Sequence, residues 1–140
     1  MNDETVFTRI VAGDLPSYTI YKDDSTYAFL DTNPVAPGHT LVIPKAPYER
    51  LQEVPADVAA DLIATIRKLV PAIEAGVGAD ATTITLNNGA AASQEIPHVH
   101  WHVVPRFEDD GTLVEYHSLF DDELDELGME SIATDIRAKR

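Results

Sequence analysis

The strongest constraint on how this chain folds is the stretch His98-Val-His-Trp-His-Val-Val-Pro-Arg106, in which His98, His100 and His102 alternate with Val99, Trp101 and Val103. Period-two alternation predicts a half-buried β-strand over 98–104, with imidazoles on one face and apolar side chains on the other. At roughly 3.3 Å rise per residue, neighbouring imidazoles spring from Cα atoms roughly 6–7 Å apart. One buried histidine is usually a core residue with its hydrogen bonds satisfied. Three in register are a candidate reaction centre, because an unperturbed pKa of about 6.5 lets imidazole attack, accept or donate protons near neutrality. Two chemistries fit such a row. Alternate histidines can share a Zn²⁺ ion with a third ligand from elsewhere, or one imidazole can act as nucleophile while its neighbours orient it and handle charge. Spacing alone does not decide between them.

The remaining elements follow from patterning. Val6, Phe7, Ile10 and Val11 mark a short helix over 5–11, ended by Gly13 and Pro16. Strands are predicted over 17–21 and 26–30, separated by the turn Lys22-Asp-Asp-Ser25. Asp31 to Gly38 reads as a loop, and 39–44 as a strand whose Leu41, Val42 and Ile43 suit burial on both faces. The long helix covers 55–75, with Leu62, Ile66, Leu69 and Ile73 on one face, Gly76 as its stop and Pro71 as an expected kink or early end. A strand over 82–87 leads into Asn88-Gly-Ala-Ala-Ala92, a loop of small residues that lets backbone approach a ligand. A short amphipathic helix over 130–137 closes the chain. Serial strands with short links around one long helix predict an antiparallel sheet and the α+β class.

Composition narrows the function. The net charge of −14 opposes sequence-independent contact with DNA or RNA, which needs a basic face. It leaves room for a small phosphorylated ligand held by a local donor cluster. With no cysteine there is no disulfide, thiolate nucleophile or cysteine-based zinc site. No apolar run is long enough for a transmembrane helix, and the acidic Met-Asn-Asp-Glu start is unlike a signal peptide, so a cytoplasmic location and no membrane partner are expected. Ten basic residues against 24 acids resemble the balance of proteins from a saline, halophilic cytoplasm.

The pattern His-φ-His-φ-His-φ-φ at 98–104, with φ apolar, resembles the signature of the histidine triad (HIT) family of nucleotide hydrolases and transferases. Phe29-Leu-Asp31, Pro37-Gly-His39-Thr-Leu-Val-Ile-Pro-Lys45 and Asn87-Asn-Gly89…Gln94-Glu95 stand in that family's order and spacing. The resemblance covers most of residues 5–106. It implies a five-stranded antiparallel sheet with one long and one short helix over 1–106, with 107–140 as an acidic extension packed on the same domain or a dimer partner. It also implies a homodimer, and hydrolytic transfer of a nucleoside monophosphate from a conjugate such as a phosphoramidate or dinucleoside polyphosphate. No cofactor is required. By motif position His100 resembles the nucleophile, His102 the residue that contacts phosphate oxygens and assists the leaving group, and His98 and His39 the supporting network. Asp31 resembles the acceptor of the ribose hydroxyls, its plain alternative being a loop cap before Asn33-Pro34. Gln94 is expected to donate an N–H to the phosphate, and Asn87 to reach ribose or phosphate or hold its loop. Phe7, Ile10 and Phe29 are expected to form the slot for a purine base, or simply to pack the core.

Some positions depart from the family pattern. Many relatives hold a structural zinc with Cys-x-x-Cys in the first helix and a histidine after the Ile-Pro-Lys segment; here Thr5, Thr8 and the Ala46-Pro47 region stand there, and no metal is expected. Trp101, bulkier than the usual aliphatic, is expected to point away from the histidines. His117 matches no motif position. The competing classes are a metal-dependent hydrolase using two triad histidines with Glu108 or His39, and a nucleotide-binding regulator with negligible turnover.

Overall fold

The computed structural model describes residues 4–111 and 124–140; His117 and the acidic run at 121–123 lie outside the described residues. Its elements are α1 (Val6–Ala12), β1 (Thr19–Lys22), β2 (Thr26–Leu30), β3 (Thr40–Pro44), α2 (Ala56–Val77), β4 (Ala81–Leu86), β5 (Trp101–Arg106) and α3 (Glu126–Lys139). The five strands form one antiparallel sheet in the order β1-β2-β3-β5-β4. This is the α+β architecture that the patterning predicts.

The sheet is buried on two sides. Ala28, Leu30, Val42, Trp101 and Val103 pack with Leu62, Ile66, Leu69 and Ile73 of α2. Phe29, Leu41 and Ile43 point to the other face, where they meet Tyr27 and Phe7 of α1. Period two explains the split: Leu41 and Ile43 sit on the α1 side of β3 and Val42 on the α2 side. All three are at most 5% exposed. Trp101 shares the α2 side, so its bulk serves the core and stays off the histidine face.

Several boundaries differ from the sequence reading. The triad strand begins at Trp101, so His98 and His100 lie in the irregular approach to β5 and only His102 is in the ladder. Gly76 does not stop α2. The helix runs to Val77, and Gly78, in the left-handed region at φ +71°, caps it. Gly76 instead marks a close approach: a Cβ there would stand 2.7 Å from the Ile136 side chain and 2.9 Å from its Cα. Nor does Pro71 end the helix. It and Arg67, whose carbonyl loses its usual donor to the proline ring, are both exposed, where water can bind that carbonyl.

The C-terminal helix is longer than its apolar pattern suggests, because Asp125 caps it by accepting the Gly128 N–H at 2.8 Å. Met129, Ala133 and Ile136 of α3 enter the α2 core. The Arg137 guanidinium donates to the Thr19 carbonyl at 2.7 Å, which ties α3 to β1.

Candidate functional site

On the α1 side of the sheet a cavity of about 860 Å³ opens among α1, the loop after β2, the end of β4 and the approach to β5. His39, His100 and His102 line it, with Phe7, Ile10, Phe29, Asp31 and Asn87. Eight of the ten site residues expected from sequence therefore converge there. Phe7, Phe29 and Leu41 serve both as core of this face and as an apolar wall of the cavity.

The hydrogen bonds assign a proton to each imidazole. His100 Nδ1 lies 2.8 Å from the His98 carbonyl, which can only accept, so Nδ1 carries the hydrogen and Nε2 keeps its lone pair. At His39 the Val35 backbone N–H donates to Nδ1 at 3.2 Å. The neutral ring therefore bears its hydrogen on Nε2 and donates it to His102 Nδ1 at 2.9 Å. His102 is left with its hydrogen on Nε2. One imidazole of the cavity thus presents a bare nitrogen and its neighbour, with ring centroids 5.0 Å away, presents an N–H.

Burial keeps these rings neutral. It drives His39 down to about 3 and His102 to about 4, with the neighbouring histidines adding to the effect. His100 is also lowered by burial, against the opposing pull of its bond to the His98 carbonyl and of the Glu95 charge. His98, likewise lowered by burial, is not in the cavity wall. Its Nε2–H donates to the Pro44 carbonyl at 2.7 Å and its buried Nδ1 has no hydrogen-bond partner among the described residues. It supports the site through its backbone, whose carbonyl fixes His100.

Asp31 caps its loop and also stands at the cavity wall. Its Oδ1 accepts the Asn33 N–H at 2.8 Å, which caps the loop. Its Oδ2 stands 3.7 Å from His39 Nε2, at the cavity wall. Burial is the main cause of its raised pKa. Gln94 corrects an expectation. Its amide donates to the Glu49 and Ile96 carbonyls at 2.7 and 3.0 Å, and its oxygen accepts the Gly89 N–H at 2.7 Å. Both donors are spent on holding the loop, and none is left for a phosphate. Its neighbours Ser93 and Glu95 line the cavity instead. The sequence carried a partial signal for Glu95, which stands in the same Gln94-Glu95 pair. Ser93 carried none, since its left-handed φ of +72° is a tertiary outcome.

The donors present fit neither of two metal sites. Asp31, His39 and His102 each offer a ligand atom, all within 4.8 Å of one another. His39 spoils that set: with Val35 N–H occupying Nδ1, its Nε2 must keep the hydrogen and has no lone pair for a cation. Glu108 is exposed and outside the cavity. A structural zinc near α1 does not fit either. Thr5 accepts the Phe7 and Thr8 N–H groups, while Thr8 Oγ1 accepts the Thr5 N–H at 2.8 Å and donates to the Thr5 carbonyl at 3.0 Å. These neutral hydroxyls are spent on a capping box.

Comparison with known proteins places these features. A family model of the HIT domain matches residues 12–109. The chain is similar to adenylylsulfatase HINT3 of Arabidopsis thaliana, 40% identical over 79% of this chain and 56% of that one. It is also similar to adenosine 5'-monophosphoramidase HNT1 of Saccharomyces cerevisiae, 31% identical over 88% of this chain and 75% of the relative. Among solved structures, a HIT-like protein from Bartonella henselae superposes with a TM-score of 0.85 at 30% identity, covering 99% of this chain and 98% of that one.

Proposed function

The chain belongs to the HIT domain family, and on that premise we propose that it is a nucleotide hydrolase or transferase acting at the α-phosphate of a nucleoside monophosphate conjugate. The observation that carries this reading is the pair of fixed tautomers, a bare Nε2 on His100 beside an N–H on His102. Phosphoryl centres need a positioned nucleophile and donors for the oxygen charge, and the cavity wall supplies both.

In the first step the His100 Nε2 lone pair forms a bond to the α-phosphorus. The bond from phosphorus to the leaving atom breaks with its electron pair, and the leaving atom takes up one proton from solvent while the His102 Nε2–H stays on its ring and donates a hydrogen bond to the phosphate oxygens. Water then attacks phosphorus, the N–P bond returns its pair to His100, and the water gives up the proton that balances the first step. The Nδ1–H bond to the His98 carbonyl stabilises the positive charge that His100 carries between the two steps. Asp31 would accept the ribose hydroxyls through the lone pairs its cap leaves over, and Phe7, Ile10 and Phe29 would hold a purine base. The donor geometry supports chemistry without a metal.

Rapid-quench mass spectrometry with adenosine phosphoramidate tests the reading. A nucleoside monophosphate adduct on the peptide containing His100 is expected. Turnover with no adduct at any quench time would sink the covalent route.

A further inference from the structure

The cavity has an unusual charge for a phosphate site. Among the described residues its wall contains no lysine or arginine, but two carboxylates, Asp31 and Glu95. Residues 1–3 and 112–123, outside the described set, contain no lysine or arginine either. The histidines are neutral near neutrality, by burial above all. A single phosphate charge can be met by neutral donors such as the His102 N–H. A second negative charge on the substrate finds no lysine or arginine in the described wall to meet it.

Glu95 is the carboxylate without an assigned task. Asp31 caps its loop, whereas Glu95 is exposed in the cavity wall five residues before His100. Its charge is felt at His100, where it opposes the lowering caused by burial, and at Asp31, where it adds to the raising caused by burial. An anion in the wall of the same cavity as the attacking imidazole discriminates between substrates by the charge of what departs from phosphorus.

Building on the hydrolase reading above, we infer that Glu95 is a specificity-determining residue that favours conjugates whose leaving group carries a positive charge, and disfavours anionic leaving groups such as sulfate or phosphate. The chain thereby sides with amine-type over acid-type conjugates, a choice on which the two named relatives differ. The partner chemistry is a primary amine or oligoamine joined to the nucleotide through nitrogen and bearing a second, free ammonium.

The test uses three adenosine 5'-phosphoramidates of equal chain length, ending in an ammonium, a methyl or a carboxylate. In low salt, the wild-type kcat/KM should fall in that order, with steps of about fivefold, the effect of one unit charge at about 4 Å in water. Glu95→Gln should flatten the series and Glu95→Lys should reverse it, each series being read as ratios to the methyl-ended compound of the same variant. Molar KCl should compress the wild-type series, because the Debye length falls to about 3 Å. A wild-type series that Glu95→Gln leaves unchanged overturns the inference and leaves the hydrolase reading intact. Failure of the wild type to turn over even the methyl-ended compound, with AMP still bound, overturns the hydrolase reading and the inference with it.

Discussion

At the scale of single residues, the site depends on where four imidazoles keep their protons. His100→Asn removes the nucleophilic nitrogen but leaves Asp31 and the apolar wall, so turnover should fall by several orders of magnitude while AMP still binds in calorimetry. Near-wild-type turnover would remove His100 from its role. His39 acts one step back, because its Nε2–H sets the His102 tautomer. His39→Gln should cost about 10–100-fold in kcat with a smaller change in KM, as for partners that orient a reacting group. The pH profile follows from His100, which must be neutral to attack. Burial lowers its pKa, so the acid limb of kcat/KM should lie below about 6.5. A limb at or above that value would contradict the burial of the ring. Stability has the same sign. His39 and His102 titrate near 3 and 4 in the folded chain but near 6.5 when unfolded. The unfolded state therefore binds more protons within that window, and stability should fall as pH drops from about 6.5 toward 4. Asp31, whose pKa is raised, works in the opposite direction at the acid end of the window.

At the scale of elements, the legible parts were those with a clear apolar pattern. The apolar face of α2 and the short α1 follow from 3.6 spacing and β3 from its continuous apolar run, and the structure adds the caps that fix the helix ends. The histidine row was legible as a site and misread as a ladder. Alternation continues through residues 98–100 even though their backbone is irregular, because His100 is held by the His98 carbonyl and His98 by the Pro44 carbonyl. The role of Gln94 was illegible for a related reason: its amide partners, Glu49, Gly89 and Ile96, come together only in the folded chain. Gly76 shows the same limit. A glycine near a helix end reads as a stop, whereas this one makes room for Ile136 of a helix distant in sequence. Gly76→Ala should therefore destabilise the fold by about 1–3 kcal/mol in urea titration, the usual range for overpacking, although alanine is the better helix former. A variant as stable as wild type would mean that α3 is not seated on α2 at this point.

At the scale of the whole molecule, two features remain to be placed, an open sheet edge and an acid excess. Among the described residues β4 pairs only with β5, and its Ile84 is 47% exposed, which suits this edge to the homodimer that the family resemblance implies. Light scattering should give twice the chain mass. The acid excess makes a stronger demand. The net charge of −14 on 140 residues comes from 24 acidic side chains, which only ten basic ones offset. Of the described ion pairs, Arg106 with Asp110 is the tight, bidentate one at 2.9 and 3.0 Å, while Arg9 with Glu4 is open to solvent at 3.9 Å. Exposed pairs of the latter kind contribute little, about 0–1 kcal/mol, so repulsion is not answered locally. Dissolved ions have to answer it instead. In molar KCl the Debye length is about 3 Å and neighbouring carboxylates scarcely interact; at 0.1 M it is about 10 Å and they do. Self-repulsion disfavours the compact state. The melting temperature should therefore fall as KCl is diluted from molar to about 0.1 M at pH 7, and fall less at pH 5, where some carboxylates are protonated and the histidine loss is only partial. The pH arm separates charge screening from a general salting-out effect, which strengthens burial at either pH. A melting temperature that stays level or rises on dilution would remove the saline-cytoplasm reading of the composition.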